Sequence, residues 1–250
     1  MKRSSRPALR LAWALAAMGA LGAALAATGA LGASLVSKPA ATEPPISTSG
    51  AARATATPSS YLAGYQITEP GISRASVLFV VPTMSCPTSD TQGTAEGIGN
   101  EATPGSPTLL GIVFTACVSG APNLTIQAQA GGNINFGTAS AGDRVNILIT
   151  QTRAKVTATV SDVTSGTKVR ASGTPTPDTS LVFGSFPLFS GTMLPVADFG
   201  SVRMLKPTLE NTDLQDWSPT MLVRKDGSTT QILTRNFRAS GAFSLVFRHN

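Results

Sequence analysis

The sequence predicts an all-β domain, an antiparallel two-sheet β-sandwich of jelly-roll or concanavalin type, behind an N-terminal signal or anchor helix. Three observations predict it. From Tyr61 onward the apolar residues recur with a period of 2 rather than 3.6. No window of about 12 residues beyond the leader carries a helical apolar stripe. Turn-forming residues separate the alternating runs, as regularly spaced strands of a sandwich or barrel require.

The alternation is clearest in three places. Val145, Ile147 and Ile149 alternate with Asn146, Leu148 and Thr150. Val156, Ala158 and Val160 alternate with Thr157, Thr159 and Ser161. Phe243, Leu245 and Phe247 alternate with Ser244, Val246 and Arg248. Ala141-Gly142-Asp143, Ser165-Gly166 and Asp226-Gly227 supply turns between such runs.

The first 58 residues read differently. Lys2, Arg3, Arg6 and Arg10 precede an uncharged run from Leu11 to Ser37. Cations followed by an apolar run are the layout of an export signal. Small residues offer cleavage after Ala26 or Ala30. The run also exceeds the ~20 residues that span a bilayer, so residues 1–37 are either a signal peptide or a membrane anchor. Residues 38–58 carry Pro39, Pro44, Pro45 and Pro58 among Ala, Thr and Ser. Such a stretch buries too little apolar surface to offset its ordering entropy and reads as a disordered linker. Residues 59–250 form the folded domain.

Charge excludes one class of partner. The net charge is +6, but the four leader cations supply most of it. Beyond them, 15 of the 19 basic residues face 13 acidic ones. The 15 are scattered, so no basic patch for nucleic acid exists in the sequence. Membrane contact is expected only through the N-terminal segment. Only 13% of residues are charged, and Thr, Ser, Gly and Ala fill the gap, as in many exported β proteins.

Cys86 and Cys117 are the only cysteines. In an exported chain two cysteines read as one disulfide. A metal site would need partners, and the single histidine, His249, lies one residue from the end. No metal or other cofactor is therefore expected. Two further motifs are decoys. Gly97-Ile98-Gly99-Asn100-Glu101-Ala102 matches a dinucleotide fingerprint, but Thr103-Pro104-Gly105 follows and leaves no helix N-terminus for a pyrophosphate. Asp198-Phe199-Gly200 matches a kinase metal motif without the glycine-rich loop, lysine strand or catalytic loop that go with it.

Phe79-Val80-Val81-Pro82-Thr83 with Cys86, Ala141-Gly142-Asp143-Arg144-Val145 and the run from Leu194 to Val202, read in order, resemble segments of the eqolisin-type glutamic peptidases, secreted acid peptidases with a double-sheet β-sandwich. Ala63-Gly64-Tyr65 resembles the opening strand. Phe79-Val80-Val81-Pro82-Thr83 with Cys86 resembles a strand end of that family. Glu96-Gly97-Ile98-Gly99 sits where the family has a Trp-Val-Gly-Ile strand, and Ala141-Gly142-Asp143-Arg144-Val145 matches its Pro-Gly-Asp-x-Ile turn. Leu194-Pro195-Val196-Ala197-Asp198-Phe199-Gly200-Ser201-Val202 is the strongest match, and residues 241–248 resemble the closing strand.

The resemblance implies a Gln/Glu dyad: a Glu as general base and acid on a water, and a Gln amide for the oxyanion. The family Gln falls on Leu110, or on Leu109 in a shifted register, and the Glu on Leu181. Neither loss depends on the register. No Gln lies between Gln92 and Gln127, and residues 179–196 contain no acidic side chain. The family's cleft Trp, near Ala95, is also missing. Leucine neither takes a proton nor donates a hydrogen bond, so the resemblance implies a peptidase fold without a peptidase site. Leu110 and Leu181 are expected to face one concave surface. Glu96, Gln127 and Gln129 are the polar candidates for that cleft, which would bind a peptide, protein or glycan. The alternative is an active secreted endopeptidase whose site has moved, with Glu96, Glu101 or Asp198 paired to Gln127 or Gln129.

Overall fold

The computed structural model describes residues 55–86, 91–100, 108–175, 180–190 and 192–248. The leader, most of the linker, Glu101 and His249 lie outside the described residues, and so does the expected N-terminal helix. Among the described residues no helix is long and apolar enough to cross a membrane.

Apart from one short 3-10 turn, the regular structure of the described residues is all strand. The first nine are β1 (Thr57–Ser59), β2 (Ala63–Thr68), β3 (Arg74–Val80), β4 (Gln92–Gly99), β5 (Leu109–Val118), β6 (Ala121–Ala130), β7 (Asn133–Thr138), β8 (Arg144–Gln151) and β9 (Val156–Asp162). The rest are β10 (Lys168–Gly173), β11 (Ser180–Pro187), β12 (Phe189–Ser190), β13 (Thr192–Met193), β14 (Ser201–Leu209), β15 (Thr212–Asp213), β16 (Thr220–Asp226), β17 (Thr229–Thr234) and β18 (Phe243–Phe247). A short 3-10 turn spans Leu214–Trp217.

Hydrogen bonds join fourteen strands in one path, β10-β9-β8-β3-β14-β18-β17-β16-β2-β11-β4-β5-β6-β7. All neighbours along it are antiparallel. The path folds over on itself into two layers, bringing β10 against β6 and β7, β9 against β5 and β6, and β8 against β4 and β5. The main core lies between. The residues read as inward from their period occupy it: Val145, Ile147 and Ile149, Val156, Ala158 and Val160, and Phe243 with Leu245 are all buried. The linker ends slightly sooner than its composition suggested. Thr57 and Pro58 already pair in parallel with Leu222 and Val223. Proline is tolerated there because β1 lies off the main path, at an edge.

Two facing glycines let β2 and β11 approach closely. Gly64 on β2 pairs with Gly184 on β11. A Cβ on Gly64 would run into the carbonyl oxygen of Phe183, and one on Gly184 into that of Ala63. Gly64 also has φ +136°, which side chains rarely adopt.

The two ends of the path meet side by side. Asn133 of β7 donates through Nδ2 to the Ser172 carbonyl of β10 at 2.8 Å, and Asn135 donates to the Arg170 carbonyl at 2.6 Å. Side-chain amides thus take the place of a ladder at the seam.

Cys86 and Cys117 are bonded, with Cα atoms 5.4 Å apart. The bond ties the end of β5 to the segment after β3, where Ser85 donates its amide to the Asp198 carbonyl at 3.0 Å. Met84 and Ala197 pack against Cys117 in a small apolar cluster of their own.

Two outcomes are expected in urea unfolding. Replacing both cysteines by serine should cost ~3 kcal/mol, the loop-closure value for a crosslink of this length. Gly64→Ala should cost about 1–3 kcal/mol from its backbone conformation, before the collision with Phe183 is counted.

Candidate functional site

Strands β2, β11, β4, β5, β6 and β7 present one face to the main core and the other away from it. The register fixes which residues share the outer face. One row runs Gln66, Val182, Gly99, Leu110, Gln129, Ile134 across the six strands. The next row, two residues along each strand, runs Gly64, Gly184, Gly97, Ile112, Gln127, Phe136. A third has Phe186, Ala95, Phe114, Thr125 and Thr138. None of these side chains is charged.

The centre of the outer face is apolar and tightly packed. Leu110, Ile112, Val182, Phe186 and Ala95 form a second buried cluster with Leu62 and Leu222, separate from the main core. Amides and a hydroxyl flank it on both sides. On β2 and β11, Gln66 donates through Nε2 to Ser180 Oγ at 2.8 Å. On β6, Gln127 donates through Nε2 to Gln129 Oε1 at 3.1 Å. Beyond the β6 pair lie Phe114 and Phe136, with ring centroids 6.5 Å apart. Phe136 is 53% exposed, so the apolar surface continues onto the outermost strand.

The sequence expectations divide at this face. Gln127 and Gln129 do share it, as their spacing implied. Leu110 lies on it too. Leu181 does not: it belongs to the main core, on the opposite side of the sheet. The reason is the alternation itself. Val182 pairs with Gly99, which pairs with Leu110, so Val182 and Ser180 face outward and Leu181 between them faces inward. The expectation of Leu110 and Leu181 on one surface therefore fails by one residue. Leu109, the alternative register for the Gln position, also faces the main core.

Glu96 is likewise misplaced by the sequence reading. It pairs with Val113 of β5, a main-core residue, and so points away from Gln127 and Gln129. A displaced Glu96–Gln127 pair would require both on one face, and they lie on opposite faces. Asp198 sits in an isolated bridge with Ser85 and accepts a hydrogen bond from the Gly200 amide at 2.9 Å, a turn-shaping role.

Glu96 is fully buried. Its Oε2 lies 2.9 Å from Thr115 Oγ1, and its Oε1 has no hydrogen-bond partner among the described residues. Burial pushes its pKa up to about 8, against a smaller downward pull from the Thr115 and Thr94 hydroxyls. Sequence reasoning could not see this cluster, because its hydroxyls come from three strands. Nor could it see the Gln66–Ser180 contact, which joins residues 114 positions apart. Among the described residues no group of three or more His, Cys, Asp or Glu side chains could hold a metal ion.

Two solved glutamic peptidases are similar to this chain in fold. Scytalido-glutamic peptidase, solved with a transition-state analogue inhibitor, superposes with a TM-score of 0.57 at 15% identity, covering 76% of this chain and 98% of that one. SCP-B, a member of the eqolisin family solved with the tripeptide Ala-Ile-His, gives 0.58 at 16% identity over the same shares. No curated protein matches the sequence. The Peptidase A4 family model matches residues 60–235, and the chain belongs to that family.

The alternation yields a direct test. Leu181→Glu would put an unpaired charge in the main core and should cost ~3 kcal/mol or more, enough to unfold a marginal domain. Ser180→Glu, on the half-buried outer face beside an amide donor, should change stability by less than ~1 kcal/mol. Circular dichroism melts of the two variants separate the assignments, and equal losses would contradict the inward facing of Leu181.

Proposed function

We propose that this is an exported, non-catalytic member of its family that binds a peptide, protein or glycan through the outer face of β2, β11, β4, β5, β6 and β7. The observation that carries the reading is chemical. The outer face has a buried apolar centre flanked by the amides of Gln66, Gln127 and Gln129, no carboxylate stands on its rows, and none lies in residues 180–196. Among the described residues of this face no side chain can take a proton from water and return it to a leaving amine. Gln66, Gln127 and Gln129 can still donate and accept hydrogen bonds, which suits a neutral ligand with amide or hydroxyl groups. An uncharged face gives no electrostatic preference for anionic or cationic ligands.

Export rests on two features. The leader has the charge and hydropathy layout of a secretion signal. The Cys86–Cys117 bond suits an oxidising compartment. Either a cleaved signal or a retained anchor would deliver the domain to the outer side of the membrane.

The test is hydrolysis by the purified protein of denatured protein substrates, from acid to neutral pH with pepstatin present. General acid–base help contributes typically 10²–10⁴-fold, and an oxyanion donor another 10²–10³-fold. With both gone, cleavage should sit at the background of a heat-inactivated sample. Acid-optimal cleavage that tracks the folded protein and survives Leu110→Ala would overturn the non-catalytic reading.

A further inference from the structure

The buried hydroxyl cluster around Glu96 has a proton count that favours one charge state. Thr115 Oγ1 lies 2.9 Å from Glu96 Oε2 and 3.1 Å from the Thr94 carbonyl oxygen. Both are acceptors if Glu96 is ionised, and a hydroxyl has a single proton to give. One contact then loses its hydrogen. If Glu96 carries a proton, the conflict disappears. The carboxyl O–H donates to Thr115 Oγ1, and the Thr115 O–H donates to the Thr94 carbonyl. Thr94 Oγ1 and Ser185 Oγ, 2.5 Å apart, complete the cluster, with the Phe186 carbonyl 3.1 Å from Thr94 Oγ1.

Among the described residues, no charged side chain lies near the carboxyl, and only the Thr115 and Thr94 hydroxyls offset part of the cost of a negative charge. On its own strand Thr94 and Ile98 face the same way. From β5 come Val113 and Thr115, and from β11 Phe183 and Ser185. The core-facing residues of β3 and β8, packed across the layer, are Val77, Phe79, Val145 and Ile147. None of these side chains is charged, and the two forces that oppose burial come from hydroxyls alone. An ionised carboxylate here would be desolvated and would keep one oxygen, Oε1, without any donor.

We propose that Glu96 is a proton-dependent tie within the core, so that the domain is held closed in acid and loosened by alkali. The folded state binds a proton that the unfolded chain releases at the ordinary carboxyl pKa. Its contribution is therefore complete below about 4.5 and is lost as pH rises toward about 8. Each pH unit in that interval changes the folding constant up to tenfold, so the whole interval is worth on the order of a thousandfold. This property is independent of whether the outer face binds a ligand, since Glu96 lies on the other side of the sheet.

The experiment is urea unfolding of the whole exported protein at intervals from pH 4 to pH 9, beside Glu96→Gln. The amide is nearly isosteric and never ionises. The wild-type midpoint should fall steadily as pH rises from 5 to 8, and Glu96→Gln should remove most of that slope. At pH 9 the variant should be the more resistant of the two. Parallel slopes would overturn the proposal. A second readout does not depend on the variant folding: the pH titration of the Glu96 side-chain carbon by ¹³C NMR. A midpoint above 6 supports the tie, and a midpoint near 4.5 refutes it.

Discussion

Strands β11, β4 and β5 must bury both of their faces, and the rest of the structure is arranged around that requirement. One face meets the other layer across the main core. The opposite face carries a second apolar cluster built from Leu110, Ile112, Val182 and Phe186. Where both faces are buried, sequence alternation between apolar and polar residues is no longer needed, and these strands read as near-continuous apolar or small residues. The polar residues left inside must then find partners in the sheet. Thr94, Glu96, Thr115 and Ser185 do so among themselves, on three adjacent strands.

The same requirement decides what could be read from the sequence. Strands β8 and β9 and much of β18 cover the core on one side, and their alternation announced which residues go inward. The disulfide was legible because two cysteines in an exported chain leave little choice. In β11 the run Leu181-Val182-Phe183 is apolar at every position, so nothing in it says which residue faces which side. Pairing to Gly99 settles that, and pairing is a long-range fact. Glu96 was misread for a related cause. A glutamate between alanine and glycine looks like a cleft or turn residue, and burial among hydroxyls supplied by β5 and β11 leaves no local trace.

The relation to the glutamic peptidases illustrates how a fold can outlast the side chains on its surface. At 15–16% identity what is shared is the fold of the backbone. Gly64 and Gly184 show why it persists. Any side chain at either position collides with the neighbouring strand, so this close approach tolerates almost no substitution. Residues on the outer rows touch fewer backbone atoms and can change from polar to apolar while the sheet keeps its course.

The seam between β7 and β10 has a consequence for contact between copies of the chain. The end strands of an open sheet offer bare carbonyls that recruit further strands, the usual start of fibre growth. In this fold the carbonyls of Ser172 and Arg170 are already occupied by the amides of Asn133 and Asn135. A polar side chain capping a carbonyl cannot propagate as a ladder does, because it presents no new edge of its own. Two asparagines thereby cover two carbonyls where the ends of the fourteen-strand path meet, leaving fewer free acceptors for a strand from another copy.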